Sequence, residues 1–148
     1  MSEKTEPNLN DVAETLLITL NTRAIESQRP DAMIKDDKAV AIVAQGDFDH
    51  SRLRLQGNDE VSLILRMREF DRQAREFLTR NPDGVVVHIG CGLDTRFERV
   101  DNGRVEWFDL DLPQVIALRR NLIGGEMERY RLLSGSVFES AWLEAMAS

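Results

Sequence analysis

The segment VVVHIGCGLD, Val85 to Asp94, constrains this chain more than any other part of it. A β-branched run feeds a turn of two glycines separated by one residue. Such a run, bounded by turn signals, is expected to form a strand buried on both faces. The glycines let backbone N–H groups approach a ligand closely, because no Cβ stands in the way. About twenty residues on, VEWFDLD ends in Asp111, where an acid can accept hydrogen bonds from ribose hydroxyls. Pro113 follows at once and suits the first turn of a helix. Strand, glycine turn, strand and acid at this spacing describe the opening of a parallel α/β sheet.

The rest of the chain divides around that segment. Residues 1–10 read as a loose tail. Asp11 is placed to cap a helix running to about Ser27, with Val12, Leu16, Leu17, Leu20 and Ala24 on one face. A shorter helix fits DDKAVAIVAQG, and DFDHSRLRLQG reads as an exposed connection. A long helix is expected from Asn58 or Asp59 to about Thr79, stopped near Pro82. Its charge run RMREFDRQAR reads as a solvated face. Beyond Asp111, a helix is expected from Pro113 to about Ile123, then a third strand in RYRLLSG and a last helix in SVFESAWLEAMAS. The expected fold is therefore α/β. Residues 11–80 form a helical lid, and 81–148 form the N-terminal half of a Rossmann-like parallel sheet. Three strands make only half of a doubly wound sheet, which points to a fragment of a longer chain. The open edge is a candidate for pairing in a homodimer.

Composition narrows the function. The 148 residues are 42% apolar and 30% charged, as in a single ordinary domain. A net charge of −7 argues against broad nucleic-acid binding. No apolar run is long enough to cross a membrane, and the first ten residues lack an apolar signal segment. One cysteine makes no internal disulfide, so the cytoplasm is the expected compartment. His50 and His88 lack metal-ligand spacing, and no metal site is expected. Cys91 and His88 lie on either side of a strand end with no third orienting group, so no nucleophile is assigned. Trp107, Phe108 and Trp142 are expected in the core.

The loop chemistry points away from a dinucleotide. A third glycine would be needed where Thr95 stands. Asp94 would also oppose a pyrophosphate, by about 1 kcal/mol at ~4 Å in water and more in a partly dry cleft. A ligand with a ribose, an adenine, a cationic amine and no phosphate fits better, and S-adenosylmethionine is such a ligand. Asp94 and Asp111 each have a plainer reading as helix caps.

The stretch VVVHIGCGLDTRFERV with EWFDLDLPQVIALRRNLI resembles the first cofactor-binding region of the leucine carboxyl methyltransferase family. ETLLITLNTRAIESQRPDAMIKDDKAV, LILRMREFD and SGSVFESAW resemble further parts of that family, so the likeness runs from about Glu14 to Trp142. It implies S-adenosylmethionine as cofactor and methyl transfer to a carboxylate or hydroxyl of a small-molecule or polyketide-like acceptor. By this resemblance Gly90, Cys91, Gly92 and Asp94 form the cofactor loop. Asp111 holds the ribose, and Ser136 and Val137 lie beside the adenine. Arg66 pairs with the methionine carboxylate, and Arg23 closes over the same group. His88 stands where many class I methyltransferases carry an acid. No general base is identified, and a non-catalytic module that binds the cofactor weakly or acts by protein interaction is the competing reading.

Overall fold

The computed structural model describes residues 9–47 and 49–148, with side chains described from Asp11 onward. Most of the expected N-terminal tail, up to residue 8, lies outside the described residues. Three helices come first: α1 Leu9–Ser27, α2 Asp37–Gln45 and α3 Asn58–Arg80. Then follow β1 Val85–Ile89, α4 Arg96–Val100, β2 Glu106–Asp111, α5 Pro113–Leu122, β3 Tyr130–Ser134 and α6 Ala141–Ala147. The strands form one parallel sheet in the order β1-β2-β3.

Local chemistry explains two of these boundaries. Asp36 caps α2, its carboxylate accepting from the Ala39 N–H at 2.9 Å. Pro113 opens α5 with its missing N–H at a position that needs none. Asp11 does not cap α1. The helix begins at Leu9, which places Asp11 inside the first turn, where its charge still suits the helix dipole.

Two apolar layers sandwich the sheet. On one face Trp107, Phe97, Val105, Tyr130 and Leu132 pack with Leu78 and Ile116, closing the sheet against α3, α4 and α5. On the other, Phe108, Leu110 and Leu133 meet Val87, Trp142 and Met146, so Trp142 is a partly buried cover rather than core. A third cluster, including Leu20, Ala24, Ala39, Ile42, Leu93 and Ile123, joins α1 and α2 to the glycine loop and α5.

β1 departs from expectation. Val85 and Ile89 are 51% and 52% exposed, so the strand is not buried on both faces. The cause is its place at the edge. Gly84 C=O accepts from Glu106 N–H, and Gly90 N–H donates to Leu110 C=O. Backbone groups alternate sides along a parallel ladder, so those of Val85, Val87 and Ile89 face the open side.

Candidate functional site

The site is built at the carboxyl ends of the strands, where β1 turns toward α4. Gly90 and Gly92 have φ of +67° and +51°, conformations that cost an L residue roughly 1–2 kcal/mol. A Cβ on Gly92 would also lie 2.8 Å from Leu16 Cδ2, so α1 rests directly on the loop.

Charged side chains from different elements grip the turn. From the end of β2, Asp111 accepts the Gly92 N–H at 2.8 Å and the Leu112 N–H at 2.8 Å. Arg119 of α5, fully buried, donates to Gly92 C=O at 3.0 Å. Arg23 of α1, also fully buried, donates to Leu93 C=O at 2.5 Å. Arg119 is itself fixed by Asp109 and by the Tyr130 hydroxyl, at 2.6 and 2.7 Å. Asp111 therefore acts on the loop backbone rather than as a cap for α5, whose N-cap is Leu112.

Asp94 is enclosed by arginines. Its oxygens lie 3.0 Å from Arg96 Nη2 and 2.9 Å from Arg99 Nη1. Burial pushes its carboxyl upward, but the charges of Arg23, Arg99 and Arg96 together outweigh this and hold it well below the usual carboxylate range. It does not cap α4, where Thr95 is the N-cap residue. Two aspartates from the helical region complete the arrangement. Asp71 of α3 takes Arg96 Nε at 2.9 Å and Arg99 Nε at 2.7 Å. Asp36 Oδ2 takes Arg23 Nε at 2.9 Å, Thr95 Oγ1 at 2.6 Å and Arg99 Nη1 at 3.0 Å. Three arginines thus meet three aspartates, and the cluster is charge-balanced.

A cleft of about 560 Å³ opens against this loop, a size typical of small-ligand sites. Leu16, Arg23, Arg66, Phe70, the β1 edge and the whole turn from Gly90 to Asp94 line it. One buried polar atom of that lining, Arg23 Nη1, has no partner among the described residues, whereas Asp94 Oδ1 is ion-paired with Arg99 at 2.9 Å. Arg66 reaches the cleft from an exposed position on α3.

The structure brings Arg23, Arg66, Gly90, Cys91, Gly92 and Asp94 to one cleft. Asp111, Ser136 and Val137 lie outside that lining. Ser136 and Val137 follow β3, and the neighbouring Gly135 N–H bonds to Asp111 C=O at 3.0 Å. They share the strand-end face with Asp111. Cys91 is buried, and burial first, then Asp109, raises its thiol far out of the reactive range. His88 is held between Asp109 Oδ1 at 3.1 Å and Arg96 Nη1 at 2.8 Å. Arg96 can only donate, so His88 Nε2 accepts and Nδ1–H donates to Asp109.

Sequence reasoning missed the buried ion cluster. Asp71 lies in the run read as solvated, yet it is 2% exposed. The available signal was the close spacing of Asp94, Arg96 and Arg99 in GLDTRFER beside the glycine turn.

A parallel sheet entered through this paired-glycine turn, behind a helical region, is part of a class I methyltransferase fold. Residues 16–137 match the leucine carboxyl methyltransferase family, and the chain belongs to that family. It is 40% identical over 139 residues to the tetracenomycin polyketide synthesis O-methyltransferase TcmP of Streptomyces glaucescens, covering 93% of this chain and 51% of that protein. It is 34% identical over 156 aligned residues to the S-adenosyl-L-methionine-dependent methyltransferase dpfgK of Gibberella zeae, covering 95% of this chain and 52% of the relative. The chain spans about half the length of these curated relatives. No helix among the described residues is long and apolar enough to cross a membrane.

Proposed function

We propose that the cleft takes the amino-acid end of S-adenosylmethionine and that the chain serves an O-methyltransferase. The observation that carries this reading is the buried guanidinium nitrogen of a cleft residue that has no partner among the described residues. Arg23 Nη1 offers a buried donor, and Asp94, ion-paired with Arg96 and Arg99, places a carboxylate on the same cleft. A ligand carboxylate would satisfy the donor, and an ammonium on the same carbon would suit the Asp94 carboxylate; that is the chemistry of an α-amino acid. Arg66 adds a second cation for the carboxylate, each charge-assisted hydrogen bond being worth about 1.5–3 kcal/mol. Asp111 keeps acceptor capacity for ribose hydroxyls, and Ser136 and Val137 are proposed beside the adenine.

When bound, the cofactor supplies a methyl group on a sulfonium, open to in-line attack by an oxygen nucleophile. The chain's own residues orient the donor: the arginines fix one end, and the glycine turn admits the backbone to close range. No step is assigned to a protein base. A carboxylate acceptor would need none, and a hydroxyl acceptor would need one. The proposed acceptor is a small, polyketide-like molecule, a reading supported by the relative named for tetracenomycin synthesis. A net charge of −7 disfavours nucleic acid as a partner. A single buried cysteine accords with the cytoplasm as compartment. We propose residues 11–80 as a helical unit and 81–148 as the cofactor-binding half-sheet.

Calorimetric titration with S-adenosylmethionine tests the reading. The wild-type chain is expected to bind, and Asp111→Ala to abolish binding. A folded wild-type chain that takes no heat at millimolar ligand defeats the proposal. The open edge of β1 favours a second reading, a non-catalytic module acting through that edge, with a second copy of the chain as the proposed partner. Sedimentation velocity separates the two: a dimer dispersed by Ile89→Lys supports the edge, and a monomer at every concentration removes it.

A further inference from the structure

We infer that Asp36 and Asp71 are positioning residues that hold the cofactor loop from outside the cleft. This inference rests on the cofactor reading above and extends it to the helical region. Neither aspartate lines the cleft, and both are buried, at 1% and 2% exposure. Each accepts from the side chains that surround Asp94. Asp71 takes Arg99 at two nitrogens, Nε at 2.7 Å and Nη2 at 2.9 Å, and takes Arg96 Nε at 2.9 Å. Asp36 takes Arg99, Arg23 and Thr95 on one oxygen while its other oxygen caps α2.

The charge balance explains what these contacts do. Without Asp71, Arg96 would keep only Asp94 as an anionic partner, and Arg99 would keep Asp94 and Asp36. Both guanidiniums would then draw Asp94 away from its present place, and with it the backbone between Gly92 and Thr95. Removing one partner of a buried ion cluster leaves an uncompensated charge, and such charges reorganise their surroundings. The same contacts bear on the idea of a lid. An element that swings open must break its contacts with the loop, and here those contacts are buried charge pairs. The helical region is a fixed frame for the loop.

The test combines binding with a view of the loop in the free protein. Asp71→Asn keeps the volume and removes the charge. Calorimetry with S-adenosylmethionine is expected to show affinity lower by about tenfold or more. In ¹H–¹⁵N spectra without ligand, the amide resonances from Gly92 to Arg96 are expected to move. Glu69→Gln, on the exposed face of α3, serves as the control and should change neither. Wild-type affinity and unmoved loop resonances in Asp71→Asn overturn the inference. If the wild-type chain itself does not bind, the cofactor reading fails, and the loop spectra alone decide the positioning claim. If Asp71→Asn does not fold, Arg99→Lys answers the same question. It keeps the charge and loses the two-pronged grip on Asp71, with the same results expected and the same results fatal.

Discussion

Gly92 is the residue at which backbone conformation, packing and ligand access meet. Its φ of +51° disfavours any side chain, and Leu16 of α1 occupies the space a Cβ would need. Gly90 has a similar φ but open space around its Cβ position. Thermal unfolding should therefore rank the two variants. Gly90→Ala is expected to cost about 1–2 kcal/mol from backbone strain alone. Gly92→Ala should cost more, because Leu16 must also move; equal losses would contradict this account. The carboxyls of Asp94 and Asp109 carry a second prediction. Burial raises both, but Arg23, Arg99 and Arg96 around Asp94, and the His88 hydrogen bond and then Arg119 at Asp109, bring them below the ordinary value of 3.8. A depressed folded-state value means the stability is full above the unfolded value and is lost as pH falls below it. The melting temperature should hold between about pH 7 and 5 and drop progressively below about pH 4. A melting temperature unchanged down to about pH 2.5 would contradict the role given to these ion pairs.

At the scale of elements, most of the architecture was legible. VVVHI, EWFDLD and RYRLLSG carry strand chemistry, and Pro113 marks a helix start by a mechanism that acts within a few residues. What depended on distant partners was not legible. The exposure of Val85 and Ile89 follows from β1 lying at an edge, and the strand's own residues cannot report their neighbours. Asp71 read as solvent-facing because its partners, Arg96 and Arg99, stand 25 and 28 residues away. The glycine turn and Asp111 were visible as a candidate site, whereas the grip of Arg119 on Gly92 C=O was not. Asp36 joins α2 to the loop. Asp36→Ala removes the α2 cap and an acceptor shared by Arg23 and Arg99. It should destabilise the fold by about 3–5 kcal/mol in urea unfolding. A loss under about 1 kcal/mol, as for an exposed pair, would show that the cluster contributes little.

For the whole molecule, the helical region and the sheet act as one structure centred on the glycine turn. α1 contributes Arg23 and Leu16, α3 contributes Asp71 and Arg66, and the strand ends contribute Gly92 and Asp111. The central claim is that this assembly recognises a zwitterionic amino-acid end joined to an adenosine. The most direct measurement compares S-adenosylmethionine with its decarboxylated analogue in titrations against the same wild-type chain. The analogue lacks the group proposed to meet Arg23 and Arg66, and is expected to bind about tenfold or more weakly. Equal affinity for the two ligands, or no binding of either by the folded chain, would contradict the account.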